Sequence, residues 1–150
     1  MEIHRIEDIR KLEPCYDPGR YLPEDWQGTA VDVLRVEECP PCDRLWVVLH
    51  EGWIDRRTMR LFAVWCAREA LRLVDKPDPR SIEACNVAER HANGEATDEE
   101  LRAAYSAAYR AAYRATYRAA YSATYSATDW AAYSAAWTRQ INHLLEMLEA

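Results

Sequence analysis

Apolar residues recur at helical spacing along most of this chain, and the breaks between those stretches hold residues that start and stop helices. Ile3, Ile6, Ile9 and Leu12 stand three apart, which predicts a short first helix over residues 3–12, closed by Pro14. Residues 13–28 hold Pro14, Pro18, Gly19, Pro23 and Gly28, with Tyr16, Tyr21, Leu22 and Trp26 among them. That reads as an irregular loop pinned by aromatic packing. Thr29 with Asp32 three residues on is a short-armed capping pair and predicts a brief helix through Val36. Pro40 and Pro41 open the next helix, which runs through Asp43-Arg-Leu-Trp-Val-Val-Leu-His50 to Gly52.

Asp55 then caps a stretch from Arg56 to Val74. Met59, Phe62, Ala63, Cys66, Ala70, Leu73 and Val74 mark a broad apolar face there, and Leu61, Val64, Trp65 and Leu71 widen it. A helix apolar around so much of its girth is expected to form the centre of the core. Asp78 and Pro79 start a further helix that ends at Asn93-Gly94, a left-handed C-terminal cap. Thr97 and Glu100 form a full capping box that opens the last region, and Ile141, Leu144, Leu145 and Leu148 close the chain on an amphipathic helix. Trp46-Val-Val-Leu49 has strand-forming residues, but its flanks read as helix. The fold class expected is all-α: a compact helical bundle forming one domain over 1–150, an acidic body at 1–96 followed by a repeat region at 97–150.

That repeat region is a four-residue unit, Ala-Ala-Tyr-Ser or Ala-Ala-Tyr-Arg, running from Ala103 to Thr138. It has no Gly or Pro and is dominated by Ala, the best helix former, so a long Ala/Tyr helix is expected. A four-residue step overshoots one helical turn by roughly 40°, so the Tyr slot drifts around the helix. Neither coiled-coil hand tolerates that period over this length. The helix must therefore have neighbours on several sides, or bend. Ser126, Thr128 and Asp129 compete for backbone hydrogen bonds, which puts a bend or break near Thr128.

Composition narrows the function classes. With 49% apolar residues among 150, the chain is long enough for a real core. No apolar run approaches the ~20 residues of a membrane span. The first residues lack a signal-peptide core, so a cytoplasmic protein with no membrane partner is expected. Five cysteines, Cys66 and Cys85 within apolar helical patterns, read as reduced buried thiols. Cys39-Pro-Pro-Cys42 as a zinc half-site lacks a second pair of ligands, and as a redox motif it lacks a βαβ context. No metal and no cofactor is expected.

Residues 1–100 hold 14 basic and 22 acidic side chains; residues 101–150 hold 5 and 3, so an acidic body of net −8 precedes a region of net +2. The excess sits in Arg102, Arg110, Arg114 and Arg118. Ala lets helices approach closely, while Tyr adds area and a hydroxyl. The Ala side therefore packs on the body with Tyr at its edges, or a Tyr/Arg face recognises a partner. The candidate binding residues are Tyr105, Tyr109, Arg110, Tyr113, Arg114, Tyr117, Arg118 and Tyr121. Four Arg on an acidic chain argue against nucleic acid.

No catalytic motif emerges. His4, His50, His91 and His143 lie on different elements, and four glycines leave little room for a phosphate loop. Cys66 or Cys85 with His50 or His91 as base is the one catalytic pairing to weigh, against structural thiols and surface histidines. Glu83, Asn86 and Arg90 share a helical face and are expected to form a buried polar network. A non-enzyme is the expectation.

Arg60-Leu-Phe-Ala-Val-Trp-Cys-Ala-Arg-Glu-Ala-Leu71, Asp78-Pro-Arg-Ser-Ile-Glu-Ala-Cys-Asn-Val-Ala-Glu-Arg90 and Asn93-Gly-Glu-Ala-Thr-Asp-Glu-Glu-Leu101 resemble a family of bacterial and prophage-encoded proteins labelled as immunity proteins. Asp43-Arg-Leu-Trp46 and the Ala-rich aromatic tail fit the same family. The resemblance spans roughly Pro14 to Trp137 and implies an antidote that neutralises a toxin by occlusion. It brings no catalytic or ligand residues. The dense Tyr filling of the tail departs from the Ala/Arg/Trp mixtures of that family. The alternative is a phage-type inhibitor or sponge that binds a host defence protein or a small nucleotide-like ligand. Residues 97–149 as one helix would reach roughly 80 Å, so the tail folds back or a second copy covers it, and a homo-oligomer is expected.

Overall fold

Short apolar stretches separated by Pro and capping residues fold here as an all-α chain, seen in a computed structural model that describes residues 2–107 and 130–150. The contacts divide the chain into two units, Met1–Asp55 with Trp130–Ala150, and Arg56–Asp129. The divisions fall at 55 and 129, whereas the sequence had suggested a body ending at 96.

The first unit holds β1 (His4–Arg5), α1 (Ile6–Arg10), β2 (Gln27–Gly28), α2 (Ala30–Leu34), α3 (Pro41–Val48) and the C-terminal helix, here α7 (Trp130–Glu149). The first helix is shorter than its periodicity predicts. His4 and Arg5 instead pair antiparallel with Gly28 and Gln27, and Ile3 is left exposed. Gly28 leaves room for its own neighbours: a Cβ there would meet Trp26 Cζ2 at 2.6 Å and Asp32 Cβ at 2.9 Å. The His4 ring stacks on buried Trp53, centroids 3.9 Å apart.

The loop at 13–28 is packed as expected. Pro18–Arg20 form one 3-10 turn capped by Asp17, whose carboxylate accepts from Gly19 N at 3.0 Å, and the Tyr16 and Tyr21 rings meet edge to face at 5.8 Å. Asp32 accepts from both Thr29 N (2.7 Å) and Thr29 Oγ1 (2.8 Å), which sets the start of α2. These bonds hold the Asp32 carboxyl below its ordinary value.

The core of this unit is formed by Ile6 and Ile9 of α1, Leu34 of α2, Leu45 and Val48 of α3, and Leu144 of α7. Each such side chain contributes roughly 1.5–3 kcal/mol by leaving water. Arg44 Nη1 donates to the Leu34 carbonyl at 2.7 Å and so satisfies the end of α2, and Arg35 pairs with Glu149 to tie α2 to the end of α7.

The second unit holds α4 (Arg56–Arg72), α5 (Pro79–Ala92) and a helix over residues 98–107, here α6. Asp78 accepts from Arg80 N at 2.9 Å and starts α5. Gly94 ends it at φ +78°, a left-handed value natural to glycine, with Glu95 N donating to the Arg90 carbonyl at 2.8 Å. The capping box at α6 is complete: Thr97 N donates to Glu100 Oε2 (2.7 Å) and Glu100 N to Thr97 Oγ1 (3.2 Å).

One expectation is overturned in this unit. On α4 only Phe62 and Val64 are buried, while Leu73 is 85% and Val74 50% exposed. Among the described residues, the fully buried large side chains all lie in the first unit. The stripe of α4 that faces α5 holds Ala63, Ala67 and Ala70, whose small side chains leave a shallow, open face. The expected bend near Thr128 falls outside the described residues.

Among the described residues no helix is long and apolar enough to cross a membrane.

Candidate binding groove

Ala63, Ala67 and Ala70 stand at i, i+4 and i+7 on α4, and Ala84 and Ala88 at i and i+4 on α5. This spacing gives each helix one stripe of small side chains. The two stripes meet in a groove of about 540 Å³ that is also lined by Val64, Leu71, Cys85 and Tyr105. Arg60 is the charged residue of the lining.

Polar contacts fix the helix pair. Arg57 Nη2 donates to Asn93 Oδ1 (2.8 Å), and Arg68 Nη2 donates to Glu89 Oε2 (2.6 Å) and Asn86 Oδ1 (3.2 Å). Partners that rise along α4 fall along α5, so the helices run antiparallel. Arg68 holds the Glu89 carboxyl below its ordinary value.

His91 joins the three described helices of the unit. Arg60 Nη1 lies 2.5 Å from His91 Nδ1, and His91 Nε2 lies 2.6 Å from Asp98 Oδ1. A guanidinium only donates, so Nδ1 accepts and Nε2–H donates to Asp98. That bond lowers the Asp98 carboxyl. Arg60 is thus anchored at one side while it lines the groove.

Tyr105, 69% exposed, is the one candidate binding residue within the described chain, and it lines this groove. Tyr109, Arg110, Tyr113, Arg114, Tyr117, Arg118 and Tyr121 lie outside the described residues. Glu83, Asn86 and Arg90 are exposed, not buried. Asn86 Nδ2 donates weakly to Glu83 Oε2 (3.4 Å), and Arg68 of α4 takes the place in the network expected for Arg90. Arg68 was missed because its partners lie 18 and 21 residues away. The Ala stripes had a signal in their i, i+4 spacing.

The Cys85–His91 pairing finds no support in geometry. The two residues are six apart on α5, about 240° around the helix. Burial pushes the Cys66 and Cys85 thiols up, away from the thiolate a nucleophile requires. All five cysteines are free, and among the described residues no three of His, Cys, Asp and Glu converge as a metal site would.

Fold and groove together define an all-α chain that carries an open, apolar helix-pair groove with one cationic side chain. No family model matches the chain, and no curated protein or solved structure is detectably similar to it.

Proposed function

We propose that this chain is a non-enzymatic binding protein that neutralises a partner protein by occlusion, with one helix of the partner seated in the α4–α5 groove. The observation that supports this reading is the groove itself: about 540 Å³, floored by Ala and open to solvent. An Ala floor admits a helix at close range, where dispersion contacts are densest, and large apolar side chains of the partner fill the width between the stripes. The occupant is an apolar helix carrying one carboxylate that meets Arg60. The resemblance to proteins labelled as immunity proteins makes a toxin the partner class, acting in the cytoplasm. The net charge of −6 suits a partner that is basic overall and speeds its association.

Calorimetric titration of a candidate basic toxin, against a control protein of equal charge, tests the reading. Tight binding to the toxin alone, lost in Ala67→Arg with the helical circular dichroism retained, is the expected result. Equal binding to both proteins, or full binding by the variant, overturns it. Light scattering on the same samples separates the competing occupant: a dimer that Ala67→Arg dissociates assigns the groove to a second copy. The alternative of a host-defence inhibitor or nucleotide-like sponge rests on the Tyr/Arg tetrads, and a thermal shift across a nucleotide panel would support it.

A further inference from the structure

A second cavity, of about 620 Å³, lies wholly within the first unit, beside α3 and α7. This volume is in the range of small-molecule sites, roughly 300–1,000 Å³. The aromatic residues Tyr16, Trp46 and Trp137 line it, together with the acidic residues Glu13 and Asp43. His50 completes the polar set, and among the described residues the lining contains neither Lys nor Arg.

The local chain chemistry holds several of these groups in place. Trp46 and His50 are one helical turn apart, with rings edge to face at 4.3 Å. His50 Nδ1 is 2.7 Å from the Trp46 carbonyl oxygen, which only accepts. Nδ1 therefore carries a proton and donates to that carbonyl. Cys42 Sγ donates to Asp43 Oδ1 at 3.8 Å. Burial, with Asp43 nearby, pushes the Cys42 thiol up and Cys39 to about 11, and burial likewise raises the Tyr16 phenol. The two thiols and the phenol therefore stay uncharged at neutral pH, and Glu13 and Asp43 are the acidic members of the lining.

Glu13 supplies an independent observation. Its φ is +55°, the only non-glycine positive φ among the described residues. Glycine or asparagine fits that conformation at less cost. Backbone strain of this kind collects where a side chain is needed at a site, and Glu13 lines the cavity.

We infer that this cavity binds a small organic cation of the methylated-ammonium type, with its methyl groups against Tyr16, Trp46 and Trp137 and its charge facing Glu13 and Asp43. The negative faces of aromatic rings attract such a cation, and two acidic residues in a lining without Lys or Arg disfavour anions. A bare metal ion finds no converging ligand set among the described residues. The inference is independent of the groove in the other unit.

The test uses the full chain, with choline as probe and 3,3-dimethylbutan-1-ol as its uncharged isostere. Both are titrated by calorimetry and by NMR of the indole N–H signals. Choline should shift the Trp46 and Trp137 indoles, with the isostere at least about tenfold weaker. Glu13→Gln, Asp43→Asn and Trp46→Leu should each weaken choline about three- to tenfold. Their circular dichroism and Tm report that the fold is intact. Equal binding of the isostere overturns the cation assignment. The absence of any indole shift at about 10 mM choline overturns the site altogether.

Discussion

Replacing Glu13 with glycine sets the strain argument against the binding argument in one variant. The left-handed backbone at φ +55° costs an L-residue roughly 1–2 kcal/mol. Pro14 follows, and a residue before proline is restricted further. Glycine removes that cost but adds about 0.4–1 kcal/mol of unfolded-chain entropy. The net is a stabilisation of about 0.8 kcal/mol, which for a chain of this size raises Tm by about 2–3 °C. Among the described residues no hydrogen bond or ion pair holds the Glu13 carboxylate, so the glycine variant forfeits no contact of that kind. Glu13→Ala is the control. It removes the same carboxylate but keeps a Cβ in the strained backbone, and its Tm should stay with the parent. Thermal unfolding by circular dichroism reads both, and choline titration of the same samples should show weakened binding in each. If glycine gains nothing over alanine, the strain account is wrong. If Glu13→Gly binds choline like the parent, the carboxylate has no part in the cavity.

Leu144→Ala should cost about 2–5 kcal/mol in urea unfolding, since Leu144 is fully buried, while Leu73→Ala at 85% exposure should stay within about 0.5 kcal/mol. The reverse order would restore α4 as the centre of the core. Gly28→Ala should destabilise by about 1–3 kcal/mol, because its Cβ would stand 2.6 Å from Trp26 Cζ2; an unchanged urea midpoint would mean that ring shifts freely. The Arg80 side chain, with its backbone N–H, holds the Asp78 carboxyl at about 2 against an ordinary 3.8. A lowered carboxylate value contributes stability that is full above the unfolded value and lost as pH falls through the folded one. Asp78→Asn should therefore be less sensitive to acid than the parent between pH 4 and 2, and parallel acid-unfolding curves would refute the assignment.

The ends of helices were legible in the residues alone. Asp78-Pro79, Asn93-Gly94 and the Thr97–Glu100 box act over two to five positions, so their bonds form wherever the chain turns helical. The pairing of His4–Arg5 with Gln27–Gly28 was not legible, since two-residue strands carry no periodicity and the partner lies over twenty residues away. Helical periodicity also misplaced the core. It marked α4 as apolar on most sides but could not weigh Ala against Leu, and a stripe of Ala leaves a groove where a stripe of Leu would bury itself.

The cavity of the first unit illustrates the same division. Glu13, Trp46 and Trp137 come from three distant stretches, and each reads locally as a loop acid, a helix aromatic and the last member of a repeat. The sequence by itself determined that the described chain is mostly helical, where α5 starts and stops and where α6 starts, because those choices depend on hydrogen bonds within a turn or two. Only the tertiary structure decided which faces are buried and which side chains share a cavity, because burial depends on what arrives from elsewhere in the chain.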